Sequence, residues 1–169
     1  MCGRVYIILS VYLFMKIIPK KEFMKEAIRQ AELSAKKGEY AIGAVVKNGK
    51  VIAKGDNRGF RDKDASAHAE VVAMRKASKK LKNKYLRDCI LYTTNEPCCM
   101  CAGMALWAQI GGIVYGANIK DMEKDRLSWS KKQDLIDCKT ILKGYGRKIP
   151  VVGNFMRKEC KALFAISPK

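Results

Sequence analysis

Apolar residues recur at helical spacing between Lys20 and Lys37, where Phe23, Ala27, Ile28, Ala31 and Ala35 share one face and Gly38 follows as a stop. The pattern then changes. Ala41–Val46 and Val51–Ala53 are short apolar runs of strand character, separated by Asn48-Gly49, a pair that tolerates the positive φ of a tight hairpin turn. The polar run from Asp56 to Ser66 reads as a loop, and Ala67–Leu81 as a helix with Val71, Val72 and Met74 turned inward. Cys89–Thr94 predicts a strand, Cys98–Ala108 a helix opening just after Pro97, and Gly112–Tyr115 another strand. Towards the C-terminus, Asp121–Ser130 reads as a loop, Lys131–Leu142 as a helix, Val151-Val152 as a strand and Arg157–Ala165 as a closing helix. Strands interspersed with helices predict an α/β fold, a three-layer α/β/α sandwich around a mixed sheet of about five strands.

One apolar run fits none of these periods. Val5–Met15 (VYIILSVYLFM) lies between Arg4 and Lys16 and is too short to span a bilayer, which takes roughly 20 residues. It resembles the apolar part of a signal peptide, but no small-x-small cleavage site follows. The expectation is an N-terminal extension over 1–15, from an upstream start or as an added strand or arm, and a single domain over 16–169 with no membrane association. A chain of 169 residues suits one domain with one sizeable core.

Charge widens the choice of partners. With 34 Lys+Arg against 16 Asp+Glu, the formal net charge of +18 creates a field that attracts polyanions such as nucleic acid. The same excess also describes a solvated lysine-rich surface, and Lys36, Lys50, Lys79, Lys82, Lys120 and Lys131 are scattered along the chain. Seven cysteines are an odd number at irregular spacings, so a disulfide framework is not indicated. A reducing, cytoplasmic setting that leaves thiols free to bind metal is expected.

The chemistry concentrates in two fragments, His68-Ala69-Glu70 and Pro97-Cys98-x-x-Cys101, each expected to open a helix. His68 is the sole histidine. Cys98 and Cys101 are one turn apart, so both sulfurs can face one point at a helix start, where the dipole and unpaired amides favour thiolate. One imidazole and two thiolates give Zn2+ three protein ligands and leave a fourth tetrahedral position for water, whose pKa falls to roughly 7. Glu70, two residues after His68, faces the same cleft, placed to take a proton from that water. A lone Cys-x-x-Cys more often marks structural zinc, but that site wants a fourth ligand. Cys99 points elsewhere on the helix, and Cys89, Cys138 and Cys160 lack motif spacing.

The pairing of His-x-Glu with Pro-Cys-x-x-Cys resembles the signature of zinc-dependent deaminases, and from about Lys20 to Phe164 the chain is similar to the cytidine deaminase-like superfamily. The segments that carry the likeness are Ile42–Val46, Ala67–Ala73, Leu91–Gly103 and Ile113–Ala117. The resemblance implies a hydrolytic deaminase of an amino-substituted nucleobase or nucleoside, using attack of zinc-bound hydroxide, with His68, Cys98 and Cys101 on zinc and Glu70 as proton shuttle. It further implies that the Ala69 amide and Asn57 position the base, and that Trp107, in Leu106-Trp107-Ala108, helps wall the pocket as in guanine deaminase. Residues on the Cys98 helix (Ala102, Met104, Ala105 and Leu106) lie on more than one face, which leads to the expectation of a homodimer.

Two branches compete for the substrate. Leu106-Trp107-Ala108 resembles guanine deaminase, whereas Gly38-Glu39-x-x-Ile42-Gly43-Ala44 and the basic balance resemble the tRNA adenosine deaminases. Asn118–Asp121 lacks the Asp-x-Lys-x-Gly run of the tRNA enzymes, and Arg126–Tyr145 departs from both. The sequence reading leans to a guanine-like aminopurine as free base or nucleoside. Deamination of adenosine in tRNA, a cytidine or deoxycytidylate substrate, and a non-catalytic zinc module that binds nucleic acid stay open.

Overall fold

The computed structural model describes residues 17–122, 136–144, 146 and 148–168. Residues 1–16 and 123–135 lie outside them, and with them the expectations for Val5–Met15, for most of Asp121–Ser130 and for the first part of Lys131–Leu142.

Helix α1 (Lys21–Ala35) buries Phe23, Met24, Ala27, Gln30, Ala31 and Ser34, so the expected stripe is the inward face, with Ile28 and Ala35 at its margins. Strands β1 (Gly43–Asn48) and β2 (Lys50–Asp56) form the expected hairpin, and only Gly49 takes a positive φ, of 65°. The polar run after β2 holds a single turn of helix, α2 (Gly59–Asp62), rather than loop alone. Helix α3 (Ala69–Leu81), β3 (Ile90–Asn95), α4 (Cys99–Trp107) and β4 (Gly112–Ala117) follow, each within two residues of its expected start. The chain closes with α5 (Cys138–Gly144), β5 (Val151–Val152) and α6 (Arg157–Ala162), whose last turn tightens to a 3-10 turn over Leu163–Ile166.

The strands form one mixed sheet in the order β2-β1-β3-β4-β5. β1 is antiparallel to β2 and β3, whereas β3, β4 and β5 run parallel. Parallel neighbours need a crossover, and α4 supplies it between β3 and β4. Because side chains alternate across a strand, the sheet sorts its residues into two layers. Ala44, Val46, Leu91 and Ile113 pack with α3, α4 and α5 on one face. Val45, Tyr92 and Val114 pack with Phe23, Met24 and Ala27 of α1 and Cys160 of α6 on the other. This is the expected three-layer sandwich.

Register brings the chemistry to one end of the sheet. Gly43 pairs with Asp56, Ala44 with Thr93, and Asn95 with Ala117. The start of β1 and the ends of β2, β3 and β4 therefore lie side by side, the end at which α/β sheets bind ligands. Gly55 lets β2 come close there, since a Cβ on it would run into the Ala69 carbonyl at the start of α3.

Candidate active site

Both fragments sit at helix starts on this end. His68 is the N-cap of α3 and Cys98 the N-cap of α4, and neither caps its helix with a side-chain hydrogen bond. N-cap positions usually carry Ser, Thr, Asp or Asn for that purpose. Here the side chains turn to each other instead. The His68 Nδ1 lies 3.6 Å from the Cys98 Sγ and 3.6 Å from the Cys101 Sγ. All three ligand atoms fall within 4.8 Å of one another. Tetrahedral zinc with ordinary Zn–N and Zn–S bonds sets nitrogen and sulfur about 3.6 Å apart, so the donor set fits the ion in kind and spacing. Among the described residues no fourth His, Cys, Asp or Glu joins the cluster, as a catalytic site with an open position requires.

Electrostatics in the metal-free chain follow from this crowding. The Cys98 thiol is lowered to about 4 by the Cys101 thiol that bonds to it, and further by His68. Cys101, deeply buried and facing both the Cys98 thiolate and Glu70, is pushed well up. His68 is raised by its contact with Cys98. The four groups already share charge as a unit.

Glu70 is 3% exposed in the first turn of α3. Its Oε1 accepts a hydrogen bond from the Thr93 hydroxyl at 3.2 Å, and its Oε2 lies 3.6 Å from the Cys101 sulfur. Burial, and after it the nearby Cys98 thiolate, push its pKa up from the usual carboxylate value. A carboxylate that holds a proton readily, beside three metal ligands, is equipped to carry protons.

Asn57 is buried where β2 ends, and the Arg58 amide bonds the Ala67 carbonyl, one residue before His68. Its side-chain amide donates to Glu39 Oε2 at 3.1 Å. Ala69 is the first residue of α3, where an amide has no acceptor within its own helix. The structure thus gathers His68, Ala69, Glu70, Cys98, Cys101 and Asn57.

Trp107 is not brought to this site. It ends α4, six residues and about 9 Å of helix rise beyond Cys101. Its ring is 78% exposed, and the neighbouring Ala108 carbonyl accepts the Leu86 amide ahead of β3, at the far end of the sheet. At that exposure it is not a core aromatic.

Three residues that hold the site were missed by sequence reasoning. Buried Glu39 accepts Asn57 through Oε2, the Phe60 amide through the same oxygen at 3.2 Å, and the Arg61 amide through Oε1 at 2.7 Å. Buried Glu96 accepts the Ile119 and Cys138 amides, each at 3.0 Å, joining the segments after β4 and at the start of α5. Thr93 holds Glu70. Its signal was a hydroxyl at an alternate position of an apolar strand; the acids gave none beyond their place beside Gly38 and Pro97.

This fold with this site defines a zinc-dependent nucleobase or nucleoside deaminase. Residues 18–117 match the model of the cytidine and deoxycytidylate deaminase zinc-binding region, and the chain belongs to that family. It is 38% identical over 149 residues to a tRNA-specific adenosine deaminase of Buchnera aphidicola, covering 86% of this chain and 85% of that one. It is 43% identical over 101 residues to the guanine deaminase of Bacillus subtilis, covering 59% of this chain and 65% of that one. Against one other curated relative the chain spans only 21% of the length. A guanine deaminase structure from Nitrosomonas europaea superposes with a TM-score of 0.75 at 23% identity, covering 88% of this chain and 84% of that one, a likeness of fold.

Proposed function

We propose that this chain deaminates adenosine within a single-stranded loop of tRNA, converting it to inosine with release of ammonia. The observation that carries this is the similarity to the tRNA-specific relative across nearly the whole of both chains. The net charge of +18 supports it, because an RNA substrate gives that field a partner. The sequence leaned instead to a guanine-like aminopurine as free base or nucleoside, and part of that lean rested on Trp107. With Trp107 at the far end of α4, the lean loses that residue. Guanine remains the second reading, favoured by the Bacillus relative.

In either reaction water replaces an exocyclic amino group. Zinc, when held by His68, Cys98 and Cys101, makes water nucleophilic at neutral pH. Glu70 would take a proton from the attacking water on Oε2, the oxygen on the cysteine side, while Thr93 holds Oε1 and fixes the carboxylate plane. It would then give that proton to the ring nitrogen beside the attacked carbon and carry the other proton of the same water to the leaving amine, which departs as ammonia. The Asn57 side chain, held by Glu39, and the Ala69 amide orient the base. We further propose a homodimer and a cytoplasmic, reducing location, the latter supported by free Cys89, Cys98, Cys99, Cys101, Cys138 and Cys160. Among the described residues no helix is long and apolar enough to cross a membrane.

The deciding experiment measures inosine in tRNA and ammonia from guanine, with the salt dependence of each. For tRNA, affinity falls by orders of magnitude from low to physiological salt if six or more phosphates are contacted. Turnover of guanine with a flat salt response and no inosine in tRNA rejects the proposal.

A further inference from the structure

Deaminating a base inside RNA requires drawing it out of the stack, which leaves its neighbours without a stacking partner on that side. A protein can replace that partner with an aromatic ring at the mouth of the pocket, as in sequence-specific recognition of single strands. The segment that follows Asn57 carries such a ring. Phe60 is 61% exposed, and its ring rests against that of Tyr40 with centroids 5.3 Å apart and planes tilted by 48°.

An exposed phenylalanine on a loose loop would mean little. This one is held in place. The amides of Phe60 and Arg61 both end on the buried Glu39 carboxylate, the same group that holds Asn57. The short helix beneath it is closed by Asp62 on the Arg58 carbonyl and Asp64 on the Gly59 carbonyl, and Lys63 ends it in the left-handed region at a φ of 52°. Ion pairs from Arg58 to Asp62 and from Arg61 to Asp56 fasten both sides. These pairs engage Arg58 and Arg61, and the aromatic ring is what the segment leaves uncovered between them.

We propose that Phe60, backed by Tyr40, is a stacking platform for the nucleobase adjacent to the one deaminated, and so sets preference for the nucleotide beside the target. The proposal rests on the RNA reading above. Its geometric content is that one buried carboxylate, Glu39, fixes both the residue that orients the target base and the ring that receives its neighbour.

The test uses the zinc-loaded full-length enzyme and an RNA stem-loop with the target adenosine in its loop. The same loop is also made with an abasic nucleotide on the 5′ or the 3′ side, and with 2-aminopurine at each of these positions. Phe60→Ala should raise KM on the intact loop roughly tenfold, with kcat within twofold, and Phe60→Trp should keep the wild-type KM. On one of the two abasic loops wild type should lose the same factor, and Phe60→Ala should lose nothing more. On binding wild type, 2-aminopurine at that position should be quenched, and Phe60→Ala should abolish the quenching. If wild type makes inosine but Phe60→Ala leaves KM within twofold, or its loss multiplies with both abasic losses, the platform is rejected and the RNA reading stands. If wild type makes no inosine in RNA and releases ammonia from a free purine, both fall. Should Phe60→Ala fail to fold, the tryptophan variant and the wild-type quenching still decide.

Discussion

Asn57 and Glu39 meet at 3.1 Å in a part of the protein where both side chains are almost wholly buried. The residue expected to read the base is thus oriented by an acid on a separate segment, which also fastens Phe60 and Arg61. Loss of Glu39 leaves three donors without their acceptor, and an unmet buried donor costs about 1–3 kcal/mol. Glu39→Ala should therefore lower stability by about 3 kcal/mol or more, read from denaturant unfolding. Glu39→Gln keeps the shape but sets an amide against donors, and should raise KM with a smaller stability loss. An unchanged KM in a folded Glu39→Gln variant would show that Asn57 does not depend on this clamp.

For Glu70 the expected loss is chemical and not structural. Glu70→Gln or Glu70→Ala should bind a full complement of zinc and lose activity by at least roughly 10²-fold, the lower range for general acid–base catalysis. Thr93→Val removes the hydrogen bond to Oε1 while keeping the volume, and should cost less, through kcat. Near-normal turnover without Glu70 would reject its role as the shuttle.

Metal and fold are coupled through the two helix starts. His68 and Cys98 are N-caps without capping bonds, and the buried Cys101 lies between them in contact with Glu70. Purified protein should contain about one zinc per chain. Cys101→Ala should lose the metal and lower the melting temperature. Prolonged chelation should have the same two effects on wild type, reversed by added zinc. A Cys101→Ala variant that kept zinc would mean a ligand set other than the one described.

What the sequence revealed was whatever follows from local pattern. Period and punctuation placed α1, the β1–β2 hairpin, α3, β3, α4 and β4, and two short motifs named the ligands and Glu70. The supports for those residues were hidden, because they act across the chain. Glu96 meets amides 23 and 42 residues away, and no local signal marks such a pairing. For Trp107 a likeness in three consecutive residues suggested a role in the pocket, whereas the residue lies exposed at the end of α4, a placement the local pattern did not signal. The homodimer stays a proposal, but not on the residues first offered for it: Ala102, Ala105 and Leu106 are buried in the protein's own core, and only Met104 of that set stays partly open.

The C-terminal helix hangs on one acid, which makes it sensitive to pH. Asp121, with its side chain only 6% exposed, takes both the Nε and Nη2 of Arg157 at 2.8 and 2.7 Å. The Arg157 guanidinium lowers its pKa to about 2, helped by the Asn118 amide and Lys161. A carboxylate depressed in the folded state stabilises fully above its unfolded pKa of roughly 4, and the benefit disappears as pH falls through the folded value. Arg157 is half exposed, so solvent screens the pair and its contribution at neutral pH is modest. Asp121→Asn should lower the melting temperature by a few degrees at pH 7, and the gap should close between about pH 4 and pH 2. A gap that persists at the acid end would mean that the variant acts through packing rather than charge.

The remaining prediction concerns the exposed indole. A tryptophan buries roughly 150–250 Å2 when covered, and leaving Trp107 at 78% exposure forgoes most of that gain. On the same helix Cys99 is exposed, and Met100, Gly103 and Met104 are partly open, so α4 presents an uncovered flank that ends in the ring. If a second copy of the chain covers this flank, Trp107→Ser removes a central aromatic contact at no cost to the fold of one chain. Sedimentation should then show wild type as a dimer at micromolar concentration, and the variant shifted to monomer by at least tenfold in dissociation constant. Zinc content should be unchanged. The melting temperature of wild type should rise with protein concentration, and that of the variant should rise less at the same concentrations. A wild-type monomer, or a variant that dimerises as tightly as wild type, would assign Trp107 to the free surface.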